Sequence, residues 1–380
     1  MFKFPGGKTV GGIEFLILLT CWSLSGGNSP LSGRSAPQPE SPASPSKIAQ
    51  FVRDRFEVPE SVGIRVDPLR RSAVPGFYET VVTSDHGTEK RRNSVYITKD
   101  GRCFVAGNVF ALFNGSSQEI IRCVREAAKV PSTTKLTLEA FQKSIYSGFL
   151  RATISAVEGK NTQVGEVYIT TDRRAGVLGM VLPFSESYIE RMIVTRDQPS
   201  VGPANAPVTI VEYADLQCAT CARFHEFLER ELLPRFQGKI RLIFKELPLP
   251  RHDWSFAAAV GNECVFQVEP SAFLRFRTLL FAAQGEITVA NVRERMLAFG
   301  QGLGIAPGSL ARCVDSRASS GRVEADRKEA EALRVNKTPT CFVNGRIVIG
   351  APHAEVFFKI IDEALISSQK GWREKATPNN

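Results

Sequence analysis

The sequence contains few histidines, no dense basic segment and no apolar run long enough to cross a bilayer comfortably. Its 48 Lys and Arg residues are spread among 39 Asp and Glu residues, and no basic run is interleaved with aromatic residues. Nucleic-acid binding is therefore not expected. The eight cysteines are too few for a small fold built mainly from disulfides. His86, His252 and His353 form no constellation with other metal-binding residues, so we expect them on the surface or in packing.

The residues that are present fit a globular protein of two or three domains. The chain has 380 residues, of which 43% are hydrophobic, enough to bury ordinary cores. The net charge of +9 predicts a mildly basic surface, which favours solubility or attraction to anionic lipid headgroups. The cysteines, whose state depends on the redox compartment, are Cys21, Cys103, Cys123, Cys218, Cys221, Cys264, Cys313 and Cys341.

The N-terminal segment has the pattern of an export signal. Lys3 and Lys8 precede the apolar run "FLILLTCWSL" at 15–24, whose length suits the core of a signal peptide. We predict a signal peptide or membrane anchor over 1–25; a buried helix or a misassigned start is the alternative. Residues 26–46 are rich in Gly, Pro and Ser and predict a linker. Export would place the chain in a periplasmic or other extracytoplasmic compartment, where disulfides persist.

The N-terminal half repeats itself after 72 residues. "FVRDRFEVPES" at 51 aligns with "CVREAAKVPST" at 123, and "SVYITKDGR" aligns with "EVYITTDRR", without gaps. This predicts two tandem copies, 47–117 and 118–196. Each copy has the pattern of a short amphipathic helix followed by a small antiparallel sheet, so we expect two small α+β domains. Neither copy contains a catalytic cluster, which favours a scaffold or dimerisation module.

A pair of cysteines lies where a strand leads into a helix. "APVTIVEYADL" has the β-branched and apolar residues of a buried strand, and Cys218 and Cys221 follow it at the start of an amphipathic helix. A cysteine at a helix N-terminus is stabilised as thiolate by unpaired N–H groups and the helix dipole. We therefore expect the pKa of Cys218 to fall in the range ~3.5–7.5. Cys218 would attack, and the more buried Cys221 would resolve the mixed disulfide.

The same pair has two alternative interpretations. Cys218, Cys221 and His225 could contribute zinc ligands, but a structural site needs further ligands at suitable spacing, and none lies nearby in the sequence. A purely structural bridge between the two cysteines would close almost no loop and so add little stability. A redox pair is therefore the leading hypothesis, and no metal site and no cofactor are predicted.

The rest of this half has a characteristic order of elements. "KIRLIFKELPL" predicts a second strand, 254–320 predicts a helical insertion, and "NKTPTCFVNGRIVIG" predicts a hairpin with an Asn-Gly turn. A helix over about 353–367 follows, and 369–380 is predicted to be a disordered tail. Together these elements make an α/β thioredoxin-like fold with a helical insertion over 200–368.

This half resembles the catalytic domain of the bacterial Dsb thiol:disulfide oxidoreductases and isomerases. The similarity is carried by "VEYADLQCATC", "FKELPLPRHDW" and "NKTPTCFVNG", in that order. The resemblance implies that Glu212 relays the proton of Cys221 and that Lys245 is its ion-pair modulator. It also implies that Thr338 and Pro339, a cis-proline, contact the substrate. Cys264 and Cys313 lie where family members often carry a structural disulfide; two buried thiols are the alternative.

The first repeat, through "VPGFYETVVT" and "YITKDGR", resembles the N-terminal dimerisation domain of the periplasmic disulfide isomerases. Two copies in one chain allow either a homodimer or pairing within the chain. The resemblances imply an exported oxidoreductase acting on cysteine-containing proteins, with a membrane redox partner; oxidase, isomerase and reductase remain open. The hypotheses from other classes are a client-binding chaperone or scaffold with a vestigial redox centre, and a metal-binding thioredoxin-like protein.

Overall fold

The computed structural model describes residues 42–87 and 89–376, which divide into two compact units. One unit ends at Ser185 and the other begins at Glu186. The predicted signal segment 1–25 and most of the predicted linker 26–46 lie outside the described residues. Among the described residues, no helix has both the length and the apolarity needed to cross a membrane.

The first unit is built from two similar sets of elements. Its helices are α1 (Pro45–Arg55) and α2 (Ser117–Ala127), and its strands are β1 (Gly63–Val66), β2 (Arg70–Arg71), β3 (Phe77–Asp85), β4 (Lys90–Thr98), β5 (Cys103–Ala111), β6 (Lys135–Leu138), β7 (Gln142–Lys143), β8 (Phe149–Glu158), β9 (Asn161–Thr170) and β10 (Ala175–Pro183). Most elements of the first set begin 72 residues before their counterparts in the second.

The two sets also share side-chain contacts that fix the turn after each helix. Arg53 donates to the backbone carbonyls of Val58, Pro59 and Val62, and Arg125, 72 residues later, donates to those of Val130, Pro131 and Thr134. In each set one arginine thus satisfies three carbonyls of the loop that leaves the helix. The repeated sequence therefore produces the same local structure twice.

A single sheet joins the two sets, in the order β1-β3-β4-β5-β10-β9-β8-β6 with β2 on β3 and β7 on β8. β5 and β10 pair antiparallel at the centre, and Gly107 lies opposite Gly179, its own counterpart in the repeat. A Cβ atom on Gly107 would lie 2.5 Å from the carbonyl oxygen of Leu178. Because real Cβ contacts are not that short, this crossing requires glycine.

Residues in and just after the central strands also pack in the hydrophobic core of the other copy. Leu182, at the end of β10, and Phe184 pack in the core formed by α1 and the first set of strands. Leu112 and Phe110 of the first copy pack in the core formed by α2 and the second set. Each core therefore depends on residues of the other copy.

The second unit is a mixed sheet covered by helices. The sheet order is β11-β13-β12-β14-β15, with β12 parallel to β13 and antiparallel to β14. Its strands are β11 (Ser200–Val201), β12 (Val208–Ala214), β13 (Ile240–Glu246), β14 (Thr340–Val343) and β15 (Arg346–Ile349). Its helices are α3 (Glu186–Met192), α4 (Ala219–Phe227), α5 (Leu233–Arg235), α6 (Ser255–Val268), α7 (Phe273–Ala282), α8 (Val292–Gly302), α9 (Pro307–Ser316), α10 (Ser320–Ala332) and α11 (Ala354–Ala376), with a π-helical turn, Leu228–Leu232, between α4 and α5.

This arrangement is the thioredoxin-like fold with a helical insertion that the sequence predicts, since α6 to α9 lie within the predicted span 254–320. Two predicted boundaries are wrong. The second repeat does not extend to 196, because α3 belongs to the second unit and Ile189 and Ile193 are buried in its core. The final helix continues to Ala376, into the predicted tail 369–380.

Candidate active site

The loop between β12 and α4 is held by a buried carboxylate. Asp215, entirely buried, accepts hydrogen bonds from the Ser255 hydroxyl at 2.5 Å and from the backbone N–H groups of Gln217 and Leu249 at 2.7 Å each. Nδ1 of His252 lies 2.7 Å from its second oxygen. We expected His252 on the surface or in packing, and here it contacts the carboxylate that holds the turn leading to the cysteine pair.

Two glutamines tie the same loop to the helical insertion. The side-chain oxygen of Gln217 accepts from the backbone N–H groups of Trp254 and Ser255, at the start of α6. The side-chain nitrogen of Gln284 donates to the carbonyl of Cys218 at 3.2 Å. The insertion therefore contributes directly to the position of Cys218.

Cys218 caps the N-terminus of α4, as the sequence predicts, and Cys221 lies in its first turn. Cys218 is 7% exposed and Cys221 is entirely buried. A hydrogen bond from the Cys221 thiol, with further ones from the backbone N–H groups of Cys221 and Thr220, lowers the pKa of Cys218 to about 5, although burial acts in the opposite direction. Burial, and then the hydrogen bond to Cys218, raise the pKa of Cys221 well above its ordinary value. The two sulfurs thus differ in pKa: that of Cys218 is lowered, as an attacking thiolate requires, and that of Cys221 is raised, as expected of a thiol that acts second.

The predicted substrate-contacting residues lie beside this pair. The peptide bond between Thr338 and Pro339 is cis. The Cys218 sulfur lies 3.6 Å from the carbonyl oxygen of Thr338, and Thr338 is buried. The structure therefore brings the Thr-Pro segment to the Cys218 sulfur.

Glu212 is entirely buried on β12, as expected of a proton relay, and it lies within electrostatic reach of Cys221. Its Oε2 accepts a hydrogen bond from Nη2 of Arg277 at 3.3 Å. Burial raises the pKa of Glu212, and the charge of Arg277 opposes this rise. A buried carboxyl in this position can exchange a proton with a nearby thiol.

The predicted pairing of Glu212 with Lys245 is wrong. Lys245 contacts Asp326 and Glu329 instead, at 2.9 Å each. In the parallel register Lys245 lies opposite Tyr213, whereas Glu212 lies opposite Phe244. Because side chains alternate between the two faces of a sheet, Glu212 and Lys245 point to opposite faces.

Arg277 is the main site residue that the sequence interpretation missed. A pattern could have indicated it, because Arg277 falls on the apolar face of α7, one turn from both Phe273 and Phe281. A lone arginine among buried helical positions requires a buried anion. The helical pattern does not show which carboxylates contact Arg277; the structure identifies them as Glu212 and Glu246.

The structure also places the remaining cysteines and His225. Cys264 and Cys313 form a disulfide with an S–S distance of 2.06 Å, the pairing that the resemblance implied. Cys103, Cys123 and Cys341 are buried free thiols. His225 contacts Thr278 at 3.0 Å, and the described residues contain no group of three or more His, Cys, Asp or Glu side chains arranged to hold a metal ion.

Known proteins match parts of this chain. A family model described as Thioredoxin matches residues 195–363. Disulfide bond formation protein D of Bacillus subtilis is 27% identical over 156 residues, which are 40% of this chain and 70% of that protein. Na(+)/H(+) antiporter NhaA 3 of Salinispora tropica is 33% identical over 208 residues, 53% of this chain but 30% of the antiporter. The structure of oxidised BdbD from Bacillus subtilis is 23% identical with a TM-score of 0.41, covering 45% of this chain and 95% of that chain.

Proposed function

We propose that this protein is a thiol:disulfide oxidoreductase of the Dsb type that acts on protein substrates through Cys218 and Cys221. The match of residues 195–363 to the Thioredoxin family model and the similarity to disulfide bond formation protein D support this proposal. The observation that carries the proposal is the contrast between the two sulfurs. Cys218 has a pKa lowered to about 5 at a helix N-terminus, and Cys221 is a buried thiol one turn later. No cofactor is needed for this chemistry.

In the oxidising direction, a client thiolate attacks the Cys218 sulfur of the Cys218–Cys221 disulfide. The bond between the two cysteines breaks, and Cys221 leaves as a thiolate that takes a proton from Glu212. A second client thiolate then attacks the client sulfur of the mixed disulfide and releases Cys218 as a thiolate. In this proposal Glu212 is the proton relay, and the Thr338–Pro339 segment contacts the substrate.

The low pKa of Cys218 favours the oxidising use of the pair. A stabilised Cys218 thiolate lowers the free energy of the reduced protein. The Cys218–Cys221 disulfide is therefore reduced more readily and oxidises client thiols more strongly. A pKa of about 5 lies between the ~7 of thioredoxin and the ~3.5 of the strongest oxidase. We therefore propose a redox potential between roughly −270 and −120 mV, which suits oxidation or isomerisation better than reduction. A redox titration of the pair against glutathione measures this potential.

The cellular setting follows from the same proposal. Segment 1–25 would direct the chain to the periplasm or another extracytoplasmic space, and a membrane redox partner would reset the cysteine pair. N-terminal sequencing of the exported protein tests the predicted cleavage. Recovery of unprocessed protein with reduced cysteines in the cytoplasm would contradict export.

The N-terminal repeats support a monomer over the homodimer that the sequence also allows. β5 and β10 of one chain already pair along their length, and each copy completes the core of the other. We propose that this pairing takes the place of a pairing between subunits. Light scattering should give the mass of one chain, 41.8 kDa before any cleavage, and twice that mass would favour the homodimer.

The test of the function compares wild type with Cys218→Ser in two assays, insulin reduction and refolding of a scrambled disulfide protein. We expect the variant to lose both activities while its melting temperature stays near that of wild type. Activity that survives in Cys218→Ser would overturn the redox proposal. Client binding without exchange in wild type would favour a chaperone instead.

A further inference from the structure

One buried cation contacts two buried carboxylates beneath the cysteine pair. Arg277 is entirely buried in α7; its Nη2 donates to Glu212 at 3.3 Å and its Nη1 donates to Glu246 at 2.7 Å. The rings of Phe244 and Phe281 lie 5.1 and 5.2 Å from the guanidinium carbon. The guanidinium is therefore held in place by contacts on several sides.

The two carboxylates face the same cation because of strand register. Glu212 lies opposite Phe244 on β13, so Glu246, two residues later, lies on the same face of the sheet. Both carboxyl groups keep an oxygen, Oε1 of Glu212 and Oε2 of Glu246, without a hydrogen-bond partner among the described residues. Oε1 of Glu212 is thus the atom open to accept a proton.

Building on the proposed function, we infer that Arg277 is the positioning residue that holds Glu212 beneath Cys221 and favours its ionised form, and that Glu246 competes for the same guanidinium. The helical insertion, through Arg277, thus performs the task that the resemblance implied for Lys245. In the resolving step the Cys221 thiol loses its proton to Glu212 and the resulting thiolate attacks the Cys218 sulfur of the mixed disulfide. The Cys218–Cys221 bond forms, and the client sulfur leaves as a thiolate.

Other titratable groups around the two carboxylates bear on the pH dependence. Glu212 faces Cys221 of α4 and Cys341, its register partner on β14, in addition to Arg277 and Glu246. Glu246 also faces Asn262 and Glu263 of α6 and Asp326 of α10. Burial raises the pKa of Glu246, and the charge of Arg277 opposes that rise. The variants below leave all of these groups except the mutated one unchanged.

A two-phase reaction with 5,5′-dithiobis(2-nitrobenzoate) separates the two sulfurs. Cys218 attacks first and releases one coloured thiolate; Cys221 then resolves the mixed disulfide and releases the second. We expect the second phase of wild type to gain rate with rising pH as Glu212 ionises. In Arg277→Met the midpoint should move up by about 1–3 pH units, because an opposite charge at contact distance shifts a carboxyl by that amount. The second-phase rate at pH 7 should fall about tenfold or more.

Three further variants make the test specific. Glu246→Gln removes the competitor, so the midpoint should move down by about one pH unit. Arg277→Lys keeps the charge and should restore the midpoint toward wild type. Lys245→Met, a buried cation on the opposite face of the sheet, should leave the midpoint where it is. The first phase, which depends on Cys218, should keep its pH profile in all four variants.

Opposite shifts in Arg277→Met and Glu246→Gln support the inference, since a merely structural role would slow the reaction without moving the midpoints apart. Equal midpoints in all variants, or a shift in Lys245→Met as large as that in Arg277→Met, would overturn it. If Arg277→Met does not fold, the test uses two of the other variants. A lower midpoint in Glu246→Gln, with a midpoint near wild type in Arg277→Lys, supports the inference, and an unchanged midpoint in Glu246→Gln overturns it. Absence of the first phase in wild type would overturn the proposed function, and this inference with it.

Discussion

The sulfur of Cys218 lies 3.6 Å from the carbonyl oxygen of Thr338, although 120 residues separate them along the chain. The two meet because β12 and β14 are neighbours, with Tyr213 opposite Thr340. The strand before the cysteine pair and the strand after the Thr-Pro segment therefore bring both to the same edge of the sheet. A client peptide lying along Thr338 and Pro339 would approach the attacking sulfur.

Cys221→Ser should trap the mixed disulfide between Cys218 and a client. Without the resolving sulfur, Cys218 can still attack, but the bond that forms has no internal thiol to break it. Non-reducing electrophoresis after mixing with a disulfide-bonded client should show a covalent complex that reductant removes. Cys341→Ser, which changes another buried cysteine of the same unit, serves as the control. Trapping in the control, or none in Cys221→Ser, would contradict the assigned roles.

His225 should make the fold acid-sensitive. Burial and the charge of Arg277 lower its pKa from 6.5 to about 3, although the Glu229 carboxylate lies 3.5 Å away. As pH falls from 6.5 toward 3, the unfolded chain takes up a proton there and the folded chain does not. The free energy of unfolding should then fall by about 1.4 kcal/mol per pH unit from this residue alone.

The measurement for His225 is a series of urea titrations of wild type and His225→Gln between pH 7 and pH 4. The difference in stability between the two proteins should shrink as the pH falls, because the variant lacks the titrating group. A difference that stays constant over this range would show that His225 is protonated equally in both states.

Loss of the Cys264–Cys313 disulfide should destabilise the second unit by about 4 kcal/mol, since it closes a loop with a sequence separation of 49. The double variant Cys264→Ala/Cys313→Ala removes the bond, and urea unfolding measures the loss. Cys103→Ala, at a free cysteine as buried as Cys264, gives the cost of lost side-chain packing alone. Equal losses of unfolding free energy in Cys264→Ala/Cys313→Ala and Cys103→Ala would mean that the disulfide does not stabilise the second unit.

Gly107→Ala should disrupt the pairing of the two repeats. Its new Cβ atom would lie 2.5 Å from the carbonyl oxygen of Leu178 and 2.8 Å from the Cα of Gly179. Gly159→Ala is the matched control, because Gly159 also has a positive φ, +59°, but has nothing within 4 Å of its added Cβ. The control should lose about 1–2 kcal/mol of unfolding free energy. Gly107→Ala should lose clearly more in the same chemical denaturation, and an equal loss would contradict the close crossing.

Local patterns in the sequence predicted much of this molecule. The strand before Cys218, the amphipathic helix after it and the Asn344-Gly345 turn each depend on neighbouring residues, and the structure contains all three. The repeat spacing likewise predicted that most elements of the second set begin 72 residues after their counterparts in the first.

Features set by distant parts of the chain were not predictable in this way. Whether Lys245 or Arg277 meets Glu212 depends on the register between β12 and β13 and on how α7 packs against them. No local pattern specifies these relations. The same holds for the boundary at Ser185, which depends on the core that receives Ile189.

The most direct test of the account is the pH profile of Cys218 alkylation by iodoacetamide, followed by mass spectrometry of the modified peptide. The rate should rise to a plateau with a midpoint near pH 5, the pKa to which its neighbours lower this thiol. Cys221 should stay unmodified in the folded protein, since it is entirely buried. A midpoint near the ordinary cysteine value of about 8.5 would contradict the central claim that α4 and Cys221 hold Cys218 as a thiolate.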